Sequence, residues 1–244
     1  MKKYILILGA LSDIAKSTAH KFASNGYNLL LAARKFSELK IEYKDFKSMY
    51  NIDLNFYEFD VLKSNTHQSF IENLKEIPSI IICAVGYMGD QKVSEKEINS
   101  RTEVLRTNYE GPINIISEFA NIFEKRGNGT IVGISSVAGE RGRSTNYIYG
   151  SAKAGFTAFL SGLRNRLANK NVHVLTILPG TVYTKMTVNF NLPKFITSHP
   201  DKVSSDIYSA VLKKKDVIYT MGIWHFIMII IRHIPEGIFK KLKL

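Results

Sequence analysis

YILILGALSDIA, residues 4–15, joins five consecutive apolar residues to a glycine turn and then to a helical pattern. An apolar run of this length is typical of a strand that is covered on both faces. The helix that follows has free N-terminal amides, and such amides bind phosphate groups. A three-glycine dinucleotide-binding pattern is absent, because Asp13 and Ala15 stand where it carries glycine. We expect a phosphate loop at Gly9 and Ser12, with a helix N-cap as the alternative role of Asp13.

The same alternation of strand and helix continues along the chain. Apolar strands are predicted at residues 4–8, 28–33, 79–85, 130–135, 172–178 and 217–220, and helices at 13–25, 64–76, 98–124 and 149–169. This rhythm predicts an α/β fold with a doubly wound, Rossmann-type parallel sheet, which binds its ligand at the carboxyl ends of the strands. We expect one dinucleotide-binding catalytic domain over residues 1–221 and an apolar, basic helical tail over 222–244.

The composition of the chain indicates which kinds of partner and site are expected and which are not. The 244 residues are 45% hydrophobic and 22% charged, which suits one globular domain. A net charge of +12 indicates an anionic partner. Nucleic acid is not expected, because there is no zinc-finger spacing and no aromatic RNA-binding pattern, and no metal site is expected. The single cysteine, Cys83, excludes an internal disulfide, and the first apolar run is too short for a signal peptide, so we expect a cytoplasmic protein.

Two further loops follow predicted strands. Arg34 and Lys35 come after residues 28–33, where an acidic residue would grip the ribose 2′-hydroxyl of NAD and an arginine would accommodate the 2′-phosphate of NADP. NADP(H) is therefore expected rather than NAD(H), although two solvated surface charges would give the same pattern. Asp60, beside Val61, is a candidate acceptor for the adenine amino group, or an ordinary loop aspartate.

Tyr149 and Lys153 are four residues apart on one predicted helix, so their side chains share a face. An ammonium about 4 Å from a phenol would favour the phenolate and could lower the tyrosine pKa by as much as ~3 units. Tyr149 would then exchange protons near neutral pH. Small residues surround the pair, and we expect Gly150, Ser151 and Ala152 to let the helix approach a ligand. The plain alternative is an incidental pair on a surface helix.

Seven motifs occur in the order and spacing of one family: GALSDIA (9–15), Asp60, CAVG (83–86), Asn108, ISSVAG (134–139), YGSAK (149–153) and PGTVYT (179–184). In these motifs the chain resembles a short-chain dehydrogenase/reductase. The resemblance implies a catalytic tetrad of Asn108, Ser136, Tyr149 and Lys153. It also implies a cofactor site formed by Gly9, Ser12, Asp13, Ile14, Arg34, Asp60, Val61, Ala84, Gly86, Tyr149, Lys153, Pro179, Gly180, Val182 and Thr184.

The tetrad residues have distinct implied roles. Ser136 would orient the substrate carbonyl, Lys153 would hold the nicotinamide ribose, and Asn108 would anchor a water that connects Lys153 to solvent. Family members commonly form dimers or tetramers, so a homo-oligomer is expected.

The phosphate loop ending in Asp-Ile-Ala, GYMGDQ (86–91) and DVIYT (216–220) resemble decaprenylphosphoryl-2-keto-ribose reductases of bacterial envelope polysaccharide synthesis. The resemblance implies NADP(H)-dependent reduction of a ketone to an alcohol on a lipid-linked or nucleotide-linked sugar. Two alternatives stay open: a reductase of lipid or steroid-like ketones, and a non-catalytic NADP(H)-sensing protein.

The tail begins with an apolar stretch, residues 223–231, which spans about 14 Å as a helix and cannot cross a ~30 Å hydrocarbon core. Trp224 and the later lysines, Lys240, Lys241 and Lys243, suit a segment lying in the interface of an anionic membrane. We expect peripheral attachment to the cytoplasmic face of a membrane, with a subunit contact or plain core packing as alternatives.

Overall fold

A computed structural model describes residues 3–188 and 190–242. Its main sheet has seven parallel strands in the order β3-β2-β1-β4-β5-β6-β9. The strands are β1 Tyr4–Leu8, β2 Asn28–Ala33, β3 Leu54–Glu58, β4 Ile80–Cys83, β5 Gly129–Ile134, β6 Val172–Leu178 and β9 Val217–Tyr219, and a separate short pair joins β7 Thr181–Val182 to β8 Thr197–Ser198. The predicted doubly wound fold is confirmed.

Helices cover both faces of this sheet. They are α1 Asp13–Ala23, α2 Phe36–Glu42, α3 Phe46–Tyr50, α4 His67–Glu72, α5 Gln91–Lys96, α6 Ile98–Leu105, α7 Gly111–Arg126, α8 Tyr147–Leu167, α9 Pro200–Leu212, α10 Ile223–His233 and α11 Glu236–Phe239. Side chains alternate along β1: Ile5 and Ile7 pack with α1 and α9, whereas Leu6 and Leu8 pack with α7 and α8. Because both faces are buried, the strand needs apolar residues at every position.

The structure has elements that were not predicted, among them α2, α3, α5 and α9, and it differs from the prediction at one strand and one helix as follows. The strand β3 is not among the predicted apolar runs, because it lies at the edge of the sheet and only Leu54 of its five residues is fully buried. The helix predicted over residues 98–124 is interrupted by a π turn, Arg106–Glu110, between α6 and α7. A π turn inserts one extra residue into a helix and is frequent at functional sites.

The chain order reverses between β1 and β4, which are neighbours in the sheet although β2 and β3 lie between them in sequence. Doubly wound sheets bind ligands in the crevice at such a point. Here the carboxyl end of β1 meets that of β4, where the Ala84 amide donates to the Leu8 carbonyl at 2.9 Å. The fold therefore places the ligand crevice beside the predicted phosphate loop.

The tail packs on the carboxyl edge of the sheet. Trp224 and Met228 of α10 form a small core with Val137 and Leu178. In the described residues, no helix is both long and apolar enough to cross a membrane. Lys243 lies outside the described residues.

Candidate active site

A cavity of about 340 Å³ opens at the carboxyl ends of β1, β4, β5 and β6. We call it the cleft. The predicted site residues that line it are Ser12, Asp13, Ile14, Ala84, Gly86, Ser136, Tyr149, Lys153, Pro179, Gly180, Val182 and Thr184. The predicted residues that do not line it are Gly9, Arg34, Asp60, Val61 and Asn108.

Gly9 allows the phosphate loop to turn and to lie against the Ala84 backbone. Its φ of 77° lies in the left-handed region, and a Cβ there would come within 3.0 Å of the Ala84 backbone. Ser12 is the N-cap of α1, with its Oγ accepting from the Ala15 amide at 3.3 Å. The alternative that Asp13 caps this helix is therefore wrong. Its carboxylate instead accepts the Lys185 amide at 2.7 Å and ties the phosphate loop to the loop after β7.

Arg34 and Lys35 follow β2 at the rim of the site, and both are exposed. Lys35 forms an ion pair with Glu38 at 2.7 Å, whereas Arg34 has no hydrogen bond or ion pair with any described residue. The Asp60 carboxylate accepts its own loop's Leu62 amide at 3.0 Å. Val61 is buried in the core between the sheet and α7, so its side chain is not available to a ligand. Of the two cations that follow β2, Arg34 is therefore the one without a partner among the described residues.

Tyr149 and Lys153 lie on one face of α8 as predicted, but the predicted electrostatics are wrong. The Lys153 Nζ lies 5.7 Å from the Tyr149 ring centre and donates to the Ile134 carbonyl at 3.0 Å. Burial raises the pKa of the Tyr149 phenol to about 12, and its hydrogen bond with Ser136 opposes this shift. Burial also lowers the pKa of Lys153 to about 8. Desolvation therefore outweighs any attraction between the two groups.

Ser136 follows the end of β5 by two residues and lines the cleft with Tyr149. Its backbone is extended, and its Oγ accepts the Ala138 amide at 3.1 Å, which fixes the side chain at the start of a short 3₁₀ turn. This turn packs on α8 at Gly150, where a Cβ would approach the Ala138 carbonyl to 2.7 Å. The expectation that Gly150 makes room for a ligand is therefore wrong, because it makes room for the turn that carries Ser136.

Asn108 lies in the π turn and is fully buried. Its amide pairs with the Tyr87 backbone, donating to the carbonyl at 2.5 Å and accepting from the amide at 3.2 Å. A Cβ added to Gly86 would lie 3.4 Å from the Asn108 Oδ1 and 3.7 Å from the Lys153 Nζ. The side-chain oxygen and the ammonium thus flank the same backbone segment. The predicted water at this place stays a prediction.

Trp224, which was expected to lie in a membrane interface, forms a wall of the cleft. Only 5% of it is exposed, its indole N–H donates to the Ile196 carbonyl at 2.9 Å, and its ring covers Gly180. A Cβ on Gly180 would lie 1.9 Å from the indole ring. The residues of the cleft that the sequence did not reveal include Met88, Arg143, Asn146 and Met186. Arg143 and Asn146 lie between the motifs at 134–139 and 149–153, and this position was the available signal.

Replacing Lys153 with methionine is expected to stabilise the ligand-free protein by about 2 kcal/mol at pH 7. Burial lowers the Lys153 pKa from 10.5 to about 8, which corresponds to roughly 3 kcal/mol at 1.36 kcal/mol per unit. Loss of the bond to the Ile134 carbonyl offsets about 1 kcal/mol of this. Between pH 8 and 10.5 the unfolded chain binds more protons than the folded one, so wild-type stability rises with pH there. Urea unfolding of both proteins at several pH values would measure the difference.

The gain should persist below pH 8 and fade as the pH rises to 10.5. Lys185→Met, which replaces an exposed lysine of the same cleft, serves as the control and should change stability by less than about 0.5 kcal/mol. A Lys153→Met protein that is less stable at pH 7, or whose gain is independent of pH, would contradict this account.

Known proteins resemble the chain in sequence and in fold. A family model for short chain dehydrogenase matches residues 3–194. The chain is 28% identical to an uncharacterized oxidoreductase of Streptomyces coelicolor over 241 residues, 98% of this chain and 95% of that protein. It is 30% identical to the NADP-dependent 3-hydroxy acid dehydrogenase of Schizosaccharomyces pombe over 209 residues, 84% of this chain and 78% of that protein. A short-chain dehydrogenase from Sphingobium yanoikuyae, solved in complex with NADPH, has a similar fold, with a TM-score of 0.83 at 19% identity, covering 96% of this chain and 97% of that one.

Proposed function

Because this chain belongs to the short-chain dehydrogenase family, we propose that it is an NADP(H)-dependent oxidoreductase that reduces a ketone to an alcohol. The observation that carries the proposal is the meeting of Ser136, Tyr149 and Lys153 in one cleft with the phosphate loop at Ser12. The loop fits a dinucleotide, because Gly9 lets it lie against the Ala84 backbone and the N-terminus of α1 opens into the cleft at Ser12.

The proposed chemistry uses these side chains in distinct roles. NADPH, when bound, supplies the hydride. The Tyr149 phenol stays protonated at neutral pH because burial raises its pKa to about 12, so it can donate a proton to the oxygen of the reduced carbonyl. Ser136, which hydrogen-bonds Tyr149, would hold that oxygen at the phenol. Lys153 would stabilise the phenolate that forms and bind the nicotinamide ribose.

Arg34→Ala is expected to weaken NADPH binding about tenfold or more and to change NADH binding little. Only NADPH carries the 2′-phosphate that a guanidinium can bind, and loss of such a charge-assisted bond typically costs about 1.5–3 kcal/mol. Fluorescence titration with each cofactor would measure this. Lys35→Ala is the matched control, because Lys35 is already paired with Glu38. Equal losses for both cofactors would contradict the role of Arg34.

The proposed substrate is a lipid-linked or nucleotide-linked keto-sugar, on the motif resemblance to decaprenylphosphoryl-2-keto-ribose reductases. The relatives described above bear other names, so this subgroup stays a prediction. Oxidation of NADPH measured against a panel of keto-sugars, steroid-like ketones and simple alicyclic ketones would test the proposal. Preference for a hydrophobic ketone would favour the alternative reductase, and NADPH binding without turnover on any ketone would favour the sensor.

The proposed homo-oligomer would use the exposed side of α6 and the π turn. Ile98, Leu105 and Tyr109 lie there with 67%, 38% and 39% of their surfaces exposed. Exposed apolar side chains of this kind are typical of subunit contacts. These exposed apolar side chains support the proposal of a dimer or a tetramer, which are the common assemblies of the family.

Peripheral membrane attachment is proposed for the outer face of α10. Ile223, Phe226 and Ile230 are 43%, 67% and 67% exposed, and the exposed Lys240 and Lys241 follow. The expectation that Trp224 enters the interface is wrong, since its indole is buried. An apolar face with nearby lysines suits the surface of an anionic membrane.

Phe226→Glu is expected to reduce binding to anionic phosphatidylglycerol vesicles at least about tenfold without lowering stability, because the side chain is exposed and carries much of the outer face. Vesicle cosedimentation would measure it, and salt should weaken wild-type binding through screening of the lysines. Met49→Glu, at another exposed apolar residue, is the control and should bind like the wild type. Absence of wild-type binding to vesicles would contradict the proposed attachment.

A further inference from the structure

Arg143 lines the cleft from the loop between β5 and α8. Its guanidinium is partly buried, and its recorded polar contact is a weak one, from Nη2 to the Met228 sulfur at 3.8 Å. The Nε is shielded from solvent and has no hydrogen-bond partner. Burying a charged group without an anion is costly, and such groups in proteins are normally paired.

The neighbouring arginines, in contrast, are neutralised by the protein itself. Arg141 pairs with Glu236 at 2.6 Å, and Arg232 pairs with Glu140 at 3.1 Å. Among the described residues Arg143 has no carboxylate within ion-pair distance. Among the described residues, the single acidic one that lines the cleft is Asp13, whose carboxylate accepts the Lys185 amide. Within the part of the chain that the structure describes, the Arg143 guanidinium therefore has no counter-ion.

A second polar atom in the same wall is also unpaired. The Asn146 Oδ1 is buried without a hydrogen-bond partner, three residues after Arg143 and three before Tyr149. Asn146 borders both the cleft and an adjoining cavity beside α5. A ligand that fills this wall would thus meet a cationic donor and a neutral acceptor side by side.

This position is separate from the phosphate loop. Arg143 contacts α10, which follows the edge strand β9, whereas Ser12 follows β1. Arg143 lies in the loop after β5, and β4 separates β5 from β1 in the sheet, so the two loops leave strand ends that are about 10 Å apart at ~4.8 Å per strand. Arg143 and Ser12 therefore reach the cleft from different strand ends.

We propose that Arg143 is a specificity residue that binds an anionic group of the ketone substrate, a carboxylate or a phosphate, while Asn146 accepts a hydrogen bond from a hydroxyl beside it. The inference rests on the proposed ketone reduction and names its substrate class. A planar guanidinium suits both anions, because it can donate two parallel hydrogen bonds to either.

The test compares matched ketones with the NADPH-loaded enzyme. They are straight-chain oxo acids of increasing length, their methyl esters, and phosphate monoesters of the corresponding hydroxy ketones. For at least one length, kcat/KM should be at least about tenfold higher for the anion than for the ester, because a charge-assisted hydrogen bond typically contributes that factor. Arg143→Met should abolish the preference with little effect on the esters, and Arg143→Lys should restore part of it. The anion that the site prefers is identified by comparing the kcat/KM of the oxo acids and of the phosphate monoesters, each relative to the esters.

Arg166→Met is the matched control, since Arg166 pairs with Glu124 at the far end of α8 and its loss removes the same charge outside the cleft. It should keep the preference, and Arg143→Met should leave NADPH affinity unchanged. No preference for any anion, or a preference that survives Arg143→Met, would overturn the proposal.

Calorimetry separates this inference from the proposed reduction. Hexanoate and hexyl phosphate are titrated into the complex with NADP⁺, with hexanol as the neutral probe. Binding of either anion to the wild type but not to Arg143→Met would support the anion site even if no ketone is reduced. Equal binding to both proteins, or none to the wild type, would overturn it.

Discussion

Tyr149→Phe is expected to lower kcat for ketone reduction by roughly 10²–10⁴-fold, the range typical of a lost general acid. The phenyl ring still fills the space in α8, so the fold and NADPH binding should survive. In the proposed mechanism the proton that neutralises the new alkoxide comes from the Tyr149 phenol, whose pKa burial raises to about 12. Stopped-flow loss of NADPH absorbance with a reducible ketone would measure the effect, and fluorescence titration would show that the cofactor still binds.

Tyr147→Phe is the matched control for this change. Tyr147 begins the same helix two residues earlier, and 45% of its surface is exposed to solvent. The same loss of one hydroxyl should there leave kcat within about twofold of the wild type, a difference of under 0.5 kcal/mol in activation free energy. Near-normal turnover of Tyr149→Phe would contradict the proposed mechanism.

Trp224→Ala is expected to lower the free energy of unfolding by about 3–5 kcal/mol, the usual cost of deleting a buried aromatic side chain. The indole contacts Gly180, donates to the Ile196 carbonyl and packs with Met228. Loss of the indole would open the wall of the cleft at Gly180 and would also weaken the packing of α10 on the sheet. Urea unfolding would measure stability, and NADPH affinity should fall in the same variant.

Phe226→Ala is the control for Trp224→Ala, because it also truncates an aromatic side chain of α10 to alanine. Phe226 lies two residues further along α10 but is 67% exposed, so its truncation should cost less than about 0.5 kcal/mol. Comparable losses for both variants would mean that α10 contributes to stability through its helical structure alone and not through the buried indole.

The sequence predicted the sheet because its central strands are buried on both faces and so consist of apolar runs such as Tyr4–Leu8. Strand β3 was not predicted, because it lies at the edge of the sheet and only Leu54 of its residues is buried, so it has no continuous apolar run. The places of Ser136, Tyr149 and Lys153 in one cleft followed from motif spacing. Their electrostatics did not, because the pKa of Tyr149 is raised by burial, which spacing along the sequence does not reveal.

The position of Trp224 could not be predicted from the sequence for a different reason. A tryptophan among isoleucines is compatible with a membrane face or with a core, and sequence periodicity does not distinguish them when both sides of the helix are apolar. What decides is a contact far away in the sequence, the close approach to Gly180 that only a glycine permits. Arg143 and Asn146 were missed for a related reason, since an unpaired buried atom can be recognised only after its neighbours are in place.

The stacking of Trp224 on Gly180 also bears on how the protein is made. Every strand of the sheet leaves the ribosome before this tryptophan does, and domains begin to fold while synthesis continues. A nascent chain can therefore complete its sheet while Val137 and Leu178 still lack their apolar cover. During that interval the cleft is open to solvent at Gly180, and the apolar side chains at the carboxyl ends of β5 and β6 are exposed until α10 emerges and covers them.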